Sequence, residues 1–237
     1  LLDYLGIDLP VRCLSASQRV ETLHVPRPGC SMGHLAAGTP AFRTFVQDHL
    51  RRAVPARTDA PRVYVSRSAL GLRRGGMLAE DHLEAALAAQ GYVIFHPEAA
   101  SIEEQLATYL GARQIISPDC SALHLFGYVA DATQDVAVIL RRRDGAQSIL
   151  RQLAGFTGRA PLVIDAVRRI GEKAESRVSG WAQLAEVDFA KLGAVLAGAG
   201  FIARAEDLPP LGPRKRAGYW DRAARRFGGL TEVPQDT

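Results

Sequence analysis

The residues best able to do chemistry fall into two short clusters. The first is RSALGLRRGG (67–76), which sets Arg67, Arg73 and Arg74 among Gly71, Gly75 and Gly76. A guanidinium presents a planar fork of donors that matches phosphate oxygens two at a time, so arginines on a glycine-freed backbone suit a diphosphate. A solvated basic loop has the same composition, and composition alone does not separate the two. The second cluster is SPDCSALH (117–124). Where such a segment joins a strand to a helix, the free N–H groups and positive dipole end of the helix make an anion site. Ser121, in the first turn, can cap the helix or bind a phosphate. His124 lies three residues on, on the same helical face. It can donate to a phosphate or sugar, or serve as a half-buried structural histidine.

Both clusters need a scaffold, and the flanking pattern supplies one. Arg62–Ser66 is a β-branched and aromatic run expected to be a buried strand. Leu78–Gln90 has helical spacing and is closed by Gly91, and Tyr92–Pro97 is the next strand. Ser101 and Glu104 form a capping box that opens a helix through Leu110, closed by Gly111. Gln114–Ser117, Asp135–Leu140 and Pro161–Val167 are further strands, and Trp181–Leu196 is expected to be helical. Strands alternating with helices imply βαβ units, that is, a parallel sheet covered on both faces. Ligands of such sheets sit at the carboxyl ends of the strands, beside a topological switch point. The two clusters follow the first and third strands, where this rule places a site. Upstream, residues 1–60 read as an irregular Pro- and Gly-punctuated stretch, a helix from Ala41 stopped by Pro55, and a linker ARTDAP. The expected organisation is therefore 1–60, 61–202 as the sheet domain, and 203–237 as a basic C-terminal helix or tail.

With 47% hydrophobic and 23% charged residues over 237 positions, the chain can bury a sizeable core. Its longest apolar run, Leu192–Ala203, falls short of the roughly 20 residues a spanning helix needs. Cys13, Cys30 and Cys120 are far apart and form no CxxC pair, which fits a reducing compartment and argues against structural zinc. The start, LLDYLGIDLP, has neither an initiator methionine nor a signal-peptide pattern, so missing upstream residues are expected. The net charge of +4 is concentrated near the C-terminus: from Ala203 to Gly228 there are seven basic residues and three acidic ones. Tyr219, Trp220 and Phe227 are interleaved with them. Such a segment suits an anionic membrane surface, nucleic acid or an anionic glycan, or is simply a solvated helix. No nucleic-acid reading motif accompanies the charge, so nucleic acid is not an expected partner. No GxGxxG follows a strand, and GxxxxGK[ST] and HExxH do not occur. No Asp-x-Asp occurs either, so a nucleoside-diphosphate donor would be neutralised by arginines and helix ends and not by a metal held on that signature.

The run from Arg62 to Leu125 resembles the catalytic domain of family 61 glycosyltransferases, in the bacterial, often capsule-associated branch. The matching positions are Ser66, Arg67, Arg73, Arg74, Glu80, Gly91, Tyr92, Glu104, Gln105, Ser121, Ala122 and Leu123. The resemblance implies an α/β, GT-B-like architecture with a Rossmann-type parallel sheet, helices on both faces and an incomplete N-terminal domain. Residues 1–60 would then be the end of the acceptor-side domain, and 61–202 the donor-binding one. It also implies a hexosyl- or pentosyltransferase that moves a sugar from a nucleotide-sugar to a polysaccharide or glycan acceptor. Transfer would invert the anomeric carbon, without a metal and with no cofactor beyond the nucleotide-sugar co-substrate. The expected location is cytoplasmic, with peripheral membrane contact through the basic tail.

By the same resemblance, Arg67, Arg73 and Arg74 would hold the diphosphate, helped by Ser121 and the N–H groups of Ala122, Leu123 and His124. Glu80 would hold the ribose or the nearby arginines, or form a structural pair with Arg67 or Arg73. Glu104 and Gln105 would order the cleft wall, and Ser66 would be a further supporting residue. The base is not identified; His34 and Asp48 are the candidates. Two positions depart from the family pattern: its Asn before the helix Glu is Ala79 here, and its His-Gly before Ser-Ala-Leu is Asp119-Cys120. A carboxylate beside a pyrophosphate would weaken donor binding unless the loop turns Asp119 away. That departure keeps open a second reading, a non-catalytic nucleotide- or carbohydrate-binding protein on the same fold.

Overall fold

The computed structural model describes residues 1–142, 145–173 and 183–233. Up to residue 39 the chain is mostly exposed and has only short 3-10 turns. Helix α1 (Pro40–Ala53) starts where Thr39 accepts a hydrogen bond from the Phe42 N–H at 3.3 Å and Pro40 presets φ in the first turn. Alternating elements follow: β1 (Arg62–Val65), β2 (Gly76–Met77), α2 (Glu80–Ala89), β3 (Val93–Phe95), α3 (Ile102–Gly111), β4 (Gln114–Pro118) and α4 (Ala122–Val129). The chain continues through β5 (Asp135–Ile139), α5 (Gln147–Thr157), β6 (Leu162–Ile164) and β7 (Val167–Lys173). It closes with β8 (Leu184–Val187), α6 (Phe189–Gly198), α7 (Pro213–Arg226) and β9 (Leu230–Val233).

Five parallel strands form the main sheet in the order β3-β1-β4-β5-β6. Their side chains alternate between two dry faces. Val63, Val65, Ile115, Val136 and Val138 pack with α1, α3, α4 and α5, whereas Tyr64, Ile116, Ala137 and Ile139 pack with α2 and α6. Burial on both faces is why these strands read as continuous apolar runs. From β1 the chain moves outward to β3, then crosses back over β1 to β4. The direction of winding therefore reverses between β1 and β4, and the crevice beyond their carboxyl ends is the switch point. Helix α1 belongs to this packing: Val46, Leu50 and Val54 lie in the same core cluster as β1 and β4.

A second, four-stranded sheet, β2-β8-β7-β9, was not expected from the sequence. Two strand and helix readings are corrected by it. Pro161–Val167 is not one strand, because Asp165 Oδ1 accepts the Val167 N–H at 3.2 Å and turns the chain from β6 into β7 of the other sheet. The helix read from Trp181 begins only at Phe189, where the Asp188 side chain accepts from the Ala190 and Lys191 N–H groups. Leu184–Val187 is a fully buried strand, and Trp181 lies outside the described residues. The helix read from Leu78 starts at Glu80, since Ala79 has a left-handed φ of 59° and cannot be its first turn.

The basic segment after residue 203 is neither a free tail nor a fully solvated helix. Ala223 of α7 packs with Leu78 and Leu184, joined by Tyr219, Trp220, Phe227 and Leu230. Glu186 on β8 pairs with Arg169 at 2.8 Å and with Arg216 of α7 at 3.5 Å, and the Arg169 guanidinium lies 3.6 Å over the Trp220 ring. Among the described residues no helix is long and apolar enough to cross a membrane. The three cysteines are free thiols.

Candidate functional site

The chain leaves β1 through Ser66 and Arg67, both buried. The loop then turns at Gly71 (φ 63°, ψ 173°) and Gly75 (φ 74°, ψ 167°), a backbone region open essentially only to glycine. This brings the chain to Ala79 and to Glu80, whose carboxylate returns to the end of β1. Glu80 Oε1 accepts from the Arg67 N–H at 2.9 Å, the Tyr64 hydroxyl at 3.0 Å and the Ser66 hydroxyl at 3.4 Å. Burial raises the Glu80 pKa, while the Arg67 N–H and the Tyr64 hydroxyl hold it back. Glu80 is thus bound to the Arg67 backbone. The Arg67 side chain reaches the Arg74 carbonyl through Nη2 at 3.4 Å, and its buried Nε has no hydrogen-bond partner.

At the end of β4, Asp119 is completely buried and turned toward the end of β5. Its Oδ1 accepts the Arg141 N–H at 3.0 Å, and its Oδ2 accepts from Arg142 Nε at 2.8 Å. Arg141 Nε donates to the Asp119 carbonyl at 2.9 Å and lies 3.3 Å from Oδ1. Burial is the main reason the Arg141 pKa falls to about 10, with Asp119 opposing and Arg67 adding to the fall. The carboxylate in place of the family's His-Gly is therefore neutralised inside the protein. Sequence reasoning missed Arg141 and Arg142, since RRRDG after a strand looks like a solvated basic turn. The signal that could have found them was the unexplained Asp119.

A cleft of about 390 Å³ opens beside Arg67. The β1–α2 loop forms one wall, through Ser68, Leu72 and Glu80. Helix α7 forms the other, through Tyr219, Arg222 and Arg226. Tyr219 donates to Asp81 at 2.8 Å, and Arg222 stacks over the Tyr219 ring at 4.4 Å. A Cβ at Gly71 would lie 3.9 Å from Arg226 Nη2, which shows how closely the loop and helix approach. Three arginines thus face the cleft against Glu80 and Asp81, in a space suited to an anionic, partly aromatic ligand.

The other expected residues fall elsewhere. Arg73 and Arg74 are exposed and do not line the cleft; their carbonyls accept from Lys173 and Arg67. Ser121 is exposed and makes no capping hydrogen bond, Ala122 is half-buried, and Leu123 is core. His124 Nδ1 pairs with Gln152 Oε1 at 2.6 Å, tying α4 to α5. Glu104 closes the capping box with Ser101, which lowers its pKa, and Gln105 holds the Pro97 and Ala100 carbonyls. His34 and Asp48 are exposed, and Asp48 faces Arg52 one turn along α1 at 3.8 Å. Among the described residues no three His, Cys, Asp or Glu side chains converge as metal ligands would.

Fold and site together define a doubly wound α/β domain with buried arginines at the carboxyl edge of its parallel sheet and a cleft between the β1–α2 loop and α7. Residues 11–135, just over half of the chain, match the family model Glycosyltransferase 61, and the chain belongs to that family. No curated protein and no solved structure matches it. The matched segment runs from the extended N-terminal stretch to the first residue of β5, so it contains Arg67 and Glu80 but neither Arg141 nor α7.

Proposed function

We propose that this chain carries the donor side of an inverting, metal-independent glycosyltransferase that moves a hexose or pentose from a nucleotide-sugar to a polysaccharide or glycan acceptor. The observation that carries the reading is Arg67. It lies within the family-matched segment, at the carboxyl end of β1, buried, with a guanidinium N–H that no protein acceptor meets, on the wall of the cleft. A departing diphosphate in the cleft would meet this arginine, and a preorganised guanidinium there stabilises the charge that develops as the sugar leaves. Metal independence rests on the family resemblance and on the lack of an Asp-x-Asp signature. The enclosure of Asp119 by Arg141 and Arg142 removes the charge conflict that favoured a non-catalytic binder.

Tyr219, Arg222 and Arg226 serve the cleft in this reading, while Arg214, Lys215 and Arg225 of α7 remain exposed for peripheral contact with an anionic membrane surface. A cytoplasmic location accords with three unpaired cysteines. The test is release of nucleotide from a panel of UDP-, GDP- and CMP-sugars, with and without EDTA. The reading expects release from one donor class, insensitive to EDTA and lost in Arg67→Ala. Release that needs a divalent metal, or that survives Arg67→Ala unchanged, would overturn it.

A further inference from the structure

Inverting transfer needs a cation at the leaving diphosphate and a base that takes the proton of the attacking hydroxyl. Arg67 fills the first role in the reading above, and the second is open. Neither His34 nor Asp48 lines the cleft. Among the described residues its lining holds two carboxylates, Glu80 and Asp81, and no histidine. Asp81 is exposed and takes the Tyr219 hydroxyl at 2.8 Å, so it ties α2 to α7. The two oxygens of Glu80 have separate duties. Oε1 collects all of its hydrogen bonds, from the Arg67 N–H, the Tyr64 hydroxyl and the Ser66 hydroxyl. Oε2 receives none, and it is not among the buried polar atoms left without a partner. The residue is 5% exposed and lines the cleft, so Oε2 is the oxygen open to that space. Donors from β1 and its loop fix the carboxylate through one oxygen and leave the lone pairs of the other for a ligand in the cleft.

We propose that Glu80 is the catalytic base of the transfer, acting through Oε2 while Oε1 holds the β1–α2 loop. This rests on the transferase reading and adds to it the residue that activates the acceptor. Oε2 takes the proton of the acceptor hydroxyl as that oxygen bonds to the anomeric carbon. The bond from this carbon to the diphosphate oxygen breaks, and its electron pair leaves with the diphosphate. The proton then passes from Glu80 to solvent, which restores the carboxylate. The surroundings suit the role. Burial, chiefly, and the charge of Glu84 raise the Glu80 pKa, against the Arg67 N–H, the Tyr64 hydroxyl and the Arg67 charge. Asp81 on α2 and Arg222 and Arg226 on α7 are the other charged groups of the cleft. A carboxylate with a raised pKa is a stronger base than an exposed one. A Glu80 that holds ribose, one of the roles the family resemblance implies, would show instead in nucleotide affinity.

The experiment follows nucleotide release from the UDP-, GDP- and CMP-sugar panel, with water as the acceptor, by the full chain and its Glu80→Gln variant. Calorimetric binding of the matching nucleotide is measured beside it. Glutamine keeps an oxygen for the three donors and cannot take the proton. Release by Glu80→Gln should be at least about 100-fold slower, with the nucleotide Kd within about twofold of wild type. Wild-type release should fall as pH drops through the Glu80 pKa, which lies above its ordinary 4.5, and Glu80→Gln should lack that acid limb. Release by Glu80→Gln within about threefold of wild type overturns the base and leaves the donor reading standing. So does a slowdown matched by an equal loss of nucleotide affinity, or an acid limb that persists in Glu80→Gln. A wild type that releases nucleotide from no donor overturns both. Should Glu80→Gln fail to fold, the wild-type profile decides, and a rate that is flat from pH 4 to pH 8 refutes the proposal.

Discussion

Glu80 is the residue on which the loop geometry converges, and its substitution separates two roles a buried carboxylate can play. Its Oε1 is the acceptor for the Arg67 N–H and the Tyr64 hydroxyl, at 2.9 and 3.0 Å, while the Ser66 hydroxyl has a second partner in Glu84. Glu80→Ala orphans the first two donors inside the protein, at about 1–3 kcal/mol each. Relief of the buried charge offsets part of this, leaving a loss of about 2–4 kcal/mol. At about 2–4 °C per kcal/mol for a chain of this size, Tm falls by roughly 5–15 °C. Glu80→Gln keeps an oxygen for both donors and removes the desolvated charge, so it should match or exceed wild-type stability near neutral pH. Burial raises the Glu80 pKa above its ordinary value of 4.5. Below that value the group is protonated in both folded and unfolded chains, and no penalty exists. As pH rises through the higher folded-state pKa, the wild type loses stability that Glu80→Gln retains. Urea denaturation between pH 4 and pH 8 measures this directly. The gap between Glu80→Gln and wild type should grow with pH. A Gln variant as unstable as the Ala variant at pH 7.5 would show that the charge, and not the acceptor, holds the loop.

Asp119→Ala strips Arg141 and Arg142 of the carboxylate they share at the end of β4, and breaking such a buried pair should cost about 3–5 kcal/mol by thermal or urea denaturation. A loss under 1 kcal/mol would mean the cluster is solvated. Ala79 is the sole described non-glycine residue with positive φ, so the order of stability on substitution should be Gly at or above Ala, with Val about 2 kcal/mol below, and a stable Ala79→Val would contradict the geometry. On the proposed reading, the exposed cations Arg222 and Arg226 would add long-range attraction to an anionic ligand in the cleft they line. The Arg222→Ala, Arg226→Ala pair should therefore weaken nucleotide binding several-fold and flatten its salt dependence, with stability changed by no more than about 1 kcal/mol.

The central strands could be read from sequence because a parallel sheet buried on both faces leaves uninterrupted β-branched runs, as in Arg62–Val65 and Asp135–Ile139. Helix α3 announced itself through the Ser101–Glu104 capping box, which the structure contains. Leu184–Val187 was taken for helix because Leu184 and Val187 are three apart, a spacing that fits helix and short strand alike. The better signal was Asp188, a side chain suited to starting a helix just after it. Helix α5 went unread although Ile149, Leu153 and Phe156 mark one apolar face. The site was readable only where sequence neighbours make it, as at Arg67 and Glu80. Arg141, Arg142 and the cleft face of α7 come from tertiary approach across 22 residues or more, which no local pattern encodes. Arg73 and Arg74 had the right type and spacing for phosphate, yet the Gly71 and Gly75 turns leave them exposed while Arg67 goes inward.

That last contrast gives the most direct test of the central claim, that the cleft beside Arg67 is a nucleotide site. UDP, GDP and CMP are titrated calorimetrically into wild type, Arg67→Ala and Arg73→Ala. The account predicts saturable binding of one nucleotide, at least about tenfold weaker in Arg67→Ala and within about twofold of wild type in Arg73→Ala. Equal binding by wild type and Arg67→Ala, or no binding by a folded chain, would contradict it.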